Sequence, residues 1–102
     1  MHDIIYHDSC QRDWVRYRFA GGNTCEIVDI QVGTERRTGI GRRLVAEVMR
    51  AARENGATTV YAIARTSNEI ACHFYEALEF RICGRLHRFY GMENALLYVK
   101  DL

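Results

Sequence analysis

Arg36, Arg37, Arg42 and Arg43 crowd around Gly39 and Gly41 in one short stretch of this chain. An arginine side chain forks onto phosphates and carboxylates. Glycines at the start of a helix let its backbone approach a ligand closely. The N–H groups there are unpaired and carry the positive end of the helix dipole. The chemistry this predicts is anion binding, with phosphate as the usual guest. Other residue types with chemical potential are less well arranged. Cys10, Cys25, Cys72 and Cys83 include no C-x-x-C pair, so they read as small apolar side chains in a reducing compartment. His2, His7, His73 and His87 have no metal-ligand spacing, and no metal is expected.

Three known glycine loops compete for the anion segment. A Walker P-loop needs G-x-x-x-x-G-K followed by Ser or Thr, and no lysine follows here. A dinucleotide loop needs G-x-G-x-x-G, and Leu44 stands where its third glycine belongs. The third form is R/Q-x-x-G-x-G/A, present as Arg36-Arg37-Thr38-Gly39-Ile40-Gly41. That segment resembles the pyrophosphate-binding motif of the GNAT N-acetyltransferase superfamily. A second segment, Asn68 to Phe80, is similar to the family's other signature, N-x-x-A-x-x-F-Y-x-x-x-G-F. It matches at Asn68, Ala71, Phe74, Tyr75 and Phe80 and departs at Glu79, where the family has glycine. The turn out of that helix is therefore expected to be altered, or Glu79 strained.

The resemblance implies acetyl-CoA as donor, an amine acceptor on a small molecule or a protein or peptide, and direct acyl transfer. It implies a parallel strand pair that splays to admit the cofactor. Ile30, Gln31 and Val32 would pair with the pantetheine amides. Arg36, Arg37, Thr38, Gly39, Ile40, Gly41 and Arg42 would hold the pyrophosphate, and Asn68 would contact the pantetheine arm. Tyr75 would lie near the thioester sulfur, where a phenol can protonate a departing thiolate. Without the motif, Tyr75 reads as core on the Ile70, Ala71, Phe74, Leu78 face. Glu26 resembles the base that some members carry on the strand before the pyrophosphate loop, and Asp29 is the alternative. Tyr90 would sit near the acceptor.

These residues need a scaffold. Residues 14–19 alternate, with Val15, Tyr17 and Phe19 on one face. Gly21-Gly22-Asn23 turns the chain, and residues 24–32 form the second arm of a hairpin. Strict alternation puts Glu26 with Val28, Ile30 and Val32; a β-bulge would reverse that. Ile40, Leu44, Val48 and Ala52 give a helix over about 39–55 one apolar stripe, and Gly56 ends it. Residues 58–64 are an apolar β-branched run, hence a central strand. A crossover of this kind makes strands 24–32 and 58–64 parallel. A helix from Asn68 to Leu78, a strand over 80–86, a loop over 89–94 and a strand over 95–99 complete a mixed α/β sheet with flanking helices.

The 102 residues read as one domain over 1–102, and 48% hydrophobic with 26% charged residues places the chain in the globular class. A formal net charge of +1 gives no general drive toward nucleic acid or acidic membranes. The N-terminal residues show no secretory pattern, so a cytoplasmic location is expected. The family resemblance implies a strand and one or two helices before the hairpin; only about a dozen residues precede it here. The fold is therefore expected to be N-terminally truncated, with Trp14, Tyr17, Phe19 and nearby Ile4, Ile5 and Tyr6 uncovered and a homodimer completing the acceptor pocket. A non-catalytic CoA-binding regulatory module and a nucleotide-binding domain are the competing readings.

Overall fold

The computed structural model describes residues 3–7, 12–32 and 39–102. Six strands form one sheet in the order β1-β2-β3-β4-β6-β5, and both helices pack on the same face of it. The elements are β1 (Ile4–His7), β2 (Trp14–Ala20), β3 (Thr24–Gln31), α1 (Ile40–Glu54), β4 (Thr59–Arg65), α2 (Glu69–Ala77), β5 (Arg81–Tyr90) and β6 (Glu93–Asp101). The order after residue 14 is the one the sequence predicts, and β3 and β4 are parallel as expected.

Alternation decides which side chains meet the helices. Val15, Tyr17, Cys25, Ile27, Val60, Ala62, Ala64 and Tyr98 project from four strands into one buried cluster with Ile40, Leu44, Val45 and Val48 of α1 and Cys72 and Tyr75 of α2. The stripe on α1 is thus the predicted one. It ends when the Gly56 and Ala57 N–H groups bond back to Arg53 and Ala52, with Gly56 at φ 80°. On α2 the expected apolar face needs a correction. Cys72 and Tyr75 are buried, but Ile70 is 75% exposed because the first turn of α2 stands at the rim of a cleft instead of over the sheet.

The opposite face of the sheet is polar where it is written by β2 and β3. Arg18 Nε lies 3.1 Å from Asp3, Arg16 lies 3.7 Å from Asp29, and the Tyr61 hydroxyl donates to Glu26 at 3.2 Å. Strict alternation in β3 fails here, because Arg16 pairs with Asp29 but Tyr17 pairs with Ile27, leaving Val28 as an extra residue. The bulge puts Ile30 opposite the buried Val15 and brings Glu26 and Asp29 to one face. Glu26 therefore does not share a face with Ile30.

Two segments differ from the sequence reading. Residues 89–94 are a tight hairpin, not a loop: Tyr90 pairs with Glu93 across Gly91-Met92. Gly91 at φ 64° supplies the positive φ that such a turn reserves for glycine. The Asn94 side chain accepts the Arg88 N–H at 2.9 Å and ties down the irregular stretch between Leu86 and Tyr90. Residues 4–7 are a strand on the edge of β2, too short and too exposed to alternate visibly. That strand covers the edge on which the homodimer expectation rests, and Tyr17 is core. Ile4, Ile5 and Tyr6 remain exposed on β1.

Candidate active site

The β3–β4 pair is joined over only half its length. Thr24 to Ile27 pair with Thr59 to Ala62; beyond them, neither strand bonds the other. The bulge at Val28 is where they part. The gap opens into a cleft of about 820 Å³, bordered by Val28, Asp29, Ile30 and Val32 from the β3 side and Ile63, Ala64 and Arg65 from β4. Its volume suits an extended small molecule. Phe74 and Tyr75 of α2 and Tyr90 of β5 close its remaining walls.

Gly39 caps α1 at φ 92° with no side-chain cap and no acid in the first turn. The first N–H groups of α1 thus keep no acceptor from within the helix or from a cap. Gly41 lies in the cleft wall, and a Cβ there would come within 2.6 Å of the Phe74 ring. Its glycine is required by the close approach of the two helices. Arg42 is exposed beside it, and Ile40 is buried. Arg36, Arg37 and Thr38 lie outside the described residues. Ile30 and Val32 border the cleft, whereas Gln31 pairs with Trp14 at the end of β3. Asn68 caps α2 by accepting the Ala71 N–H at 3.0 Å and also lines the cleft.

Tyr75 belongs to both the core and the cleft. It is 5% exposed, and its ring packs 5.2–5.7 Å from those of Phe74, Phe80 and Tyr98. Among the described residues its hydroxyl has no hydrogen-bond partner. Burial pushes its phenol well above the usual value, and the Asp29 carboxylate and Tyr90 push it the same way. It stays protonated at neutral pH and has a proton to donate.

The two carboxylates are separated. Asp29 is on the cleft wall, its side chain 55% exposed, accepting the Ile30 N–H at 2.9 Å. Glu26 sits in the joined half of the strand pair, tied to Tyr61 and 3.8 Å from Arg18, and is not part of the wall. Tyr90 lines the cleft. Arg65 does too, and sequence reasoning missed it: a charge directly after an apolar strand and before a helix cap was the available signal. Cys25 and Cys72 are buried, with burial pushing the Cys25 thiol up to about 11, while Cys83 is exposed, unlike the expected small buried residue. Cys10 lies outside the described residues. His73 and His87 are exposed, and no cluster of three metal-ligating side chains occurs among the described residues.

The sequence profile of the acetyltransferase (GNAT) family matches residues 7–80, well over half of the chain. The chain belongs to that family. Its structure superposes on nourseothricin acetyltransferase with a TM-score of 0.83 at 27% identity, over 93% of this chain and 61% of that one. An acetyltransferase from Bacillus anthracis str. Ames in complex with acetyl coenzyme A gives 0.88 at 27% identity, over 98% and 63%. A Bacillus subtilis acetyltransferase in complex with CoA, at 22% identity, shares the fold with a TM-score of 0.80 over 95% of this chain and 73% of its own. This GNAT chain thus spans about three fifths of the length of the first two. No curated protein sequence matches it significantly.

Proposed function

We propose that the protein binds acetyl-CoA in the β3–β4 cleft and transfers its acetyl group directly to an amine. The observation that carries this reading is the parting of two parallel strands beside an uncapped, glycine-opened helix, with a protonated phenol in the wall. Family membership and the acetyl coenzyme A bound in the Bacillus anthracis relative support it.

In this reading the first turn of α1, Gly39 to Arg42, together with Arg36, Arg37 and Thr38, holds the pyrophosphate. The edge of β3 that has parted from β4, at Ile30 to Val32, holds the pantetheine amides, and Asn68 flanks that arm. The amine nitrogen attacks the thioester carbon; the C–N bond forms and the C–S bond breaks. Tyr75 gives its proton to the departing thiolate. A carboxylate removes the proton lost by the ammonium. Asp29 is the better placed base because it borders the cleft, and Glu26 is the second candidate.

Calorimetry with acetyl-CoA, CoA and ATP tests the reading, followed by a thiol-release assay over an amine library. Acetyl-CoA and CoA should bind and ATP should not compete effectively. Gly41→Glu places a side chain against Phe74 and a negative charge at the α1 N-terminus, and should abolish acetyl-CoA binding. Equal binding by that variant would show the site to be misplaced.

A further inference from the structure

Glu93, the first residue of β6, gathers three donors from three successive residues. Its Oε2 accepts the Ser67 N–H at 2.7 Å and the Thr66 hydroxyl at 3.2 Å, and its Oε1 accepts from Arg65 at 3.3 Å. These residues lead into Asn68, the α2 cap in the cleft wall. The bonds from Ser67 hold the Glu93 carboxyl below its usual pKa, so it is charged at neutral pH. Arg65, held on one side by Glu93, lies with its guanidinium carbon 4.2 Å from the centre of the Tyr90 ring. That is a cation–π contact. Tyr90 and Glu93 are opposite each other across the Gly91-Met92 turn. The hairpin tip and the β4–α2 loop thus lock together through one arginine.

The lock stands at one particular side of the cleft. Arg65 alternates with Tyr61 and Ile63 on the sheet face away from the helices, whereas Gly41 and Phe74 lie on the helix side. The gap between β3 and β4 passes from one face to the other. A donor anchored at the start of α1 fills the helix side, so the acceptor comes from the side of Asp29, Arg65 and Tyr90. Glu93 also neutralises Arg65 there. An unneutralised guanidinium would repel an approaching ammonium.

We propose that Glu93 is a positioning residue for the acceptor amine, holding Arg65 over the Tyr90 ring to set the acceptor wall. The proposal rests on the acetyl-transfer reading and extends it to residues outside both family motifs. Its test is steady-state kinetics on Glu93→Gln, Arg65→Lys and the double variant, beside calorimetry with acetyl-CoA. Glu93→Gln should raise acceptor KM about tenfold, the scale of one lost charge-assisted bond. Acetyl-CoA affinity should stay the same, measured at a temperature where the variant is folded. Arg65→Lys keeps the charge but loses the planar fork that reaches Glu93 and Tyr90 together, and should also raise acceptor KM. The double variant should be less impaired than the two effects combined, because both act through one contact. Unchanged acceptor KM in both single variants, or acetyl-CoA affinity falling in step with it, overturns the proposal. Failure of the underlying reading looks different: the unaltered protein would then bind no acetyl-CoA or release no thiol with any amine, and both proposals would fall.

Discussion

The two carboxylates of β3 are three residues apart on the same face of the sheet, yet they live in different places. Glu26 faces Tyr61 in the half of β3–β4 that is fully paired. Asp29 follows the Val28 bulge, in the half where the strands have separated, and looks into the cleft. In the paired half, the backbone satisfies itself and the other face of the strands is closed by Cys25, Ile27, Val60 and Ala62, each no more than 2% exposed. In the parted half, backbone groups are left for something else, and the walls carry Asp29, Arg65, Tyr75 and Tyr90. One extra residue separates a segment that holds the fold together from a segment available for chemistry.

The sharpest way to break that contrast is to remove proton-transfer groups from each half. Tyr75→Phe keeps the ring among Phe74, Phe80 and Tyr98 and deletes the donor. kcat should fall roughly 10–1000-fold, the range of general-acid contributions, with acetyl-CoA affinity unchanged. Asp29→Asn should lower kcat at neutral pH and recover part of it as pH rises, while Glu26→Gln leaves the rate close to that of the parent. Because the Tyr75 phenol is pushed upward, its ionisation should produce no alkaline fall in kcat below the usual phenol range. Equal losses for Asp29→Asn and Glu26→Gln would erase the distinction between the halves, and an unaltered kcat in Tyr75→Phe would assign that residue to the core.

Much of this arrangement was legible in the sequence because it depends on local signals. The α1 stripe, its Gly56 stop, the β2–β3 turn and the β-branched β4 each follow from spacing within a dozen residues, and the parallel pairing of β3 and β4 follows from connectivity. The bulge at Val28 was not legible: Glu26-Ile27-Val28-Asp29-Ile30 alternates well enough either way, and only pairing with Arg16 and Tyr17 fixes the register. The strand character of residues 87–90 was hidden for a similar reason, since Asn94 satisfies the Arg88 N–H from outside the segment. The Glu93–Arg65–Tyr90 lock joins residues 28 apart that no periodicity connects. Contacts with another segment, not spacing along one segment, set all three.

Stability should respond in the paired half and binding should not. Val60 is fully buried between β3 and β6 under the helices. Val60→Ala removes two methyl groups' worth of packing and should destabilise by roughly 2 kcal/mol once the cavity is included. In a chain of this size that corresponds to a melting temperature lower by about 8–16 °C. Acetyl-CoA affinity at a temperature where the variant is folded should stay within about twofold, the change a distant core substitution leaves when sites are independent. A variant that melts normally but binds poorly would mean that the two halves are not separable.

The smallest effect concerns how each helix ends. α1 hands the chain to the paired half through Gly56 at φ 80°, and α2, which carries Tyr75, hands it on through Glu79 at φ 68°. The hydrogen bonding is the same in both: the Glu79 N–H bonds to Glu76 and the Phe80 N–H to Tyr75, just as Gly56 bonds to Arg53 and Ala57 to Ala52. Only the residue differs. A side chain in the left-handed region costs about 1–2 kcal/mol, partly offset because glycine loses more freedom on folding. The Glu79 carboxylate returns little, being 89% exposed and 3.9 Å from Lys100. Glu79→Gly should therefore stabilise the protein by about 0.5–1 kcal/mol, read as a rise of a few degrees in melting temperature. The Tyr75 ring should stay in place, because the Phe80–Tyr75 bond and ring contact persist. A melting temperature that stays level or falls would show that the strain at Glu79 is absorbed by the turn, and that the two helix ends differ in residue but not in energy.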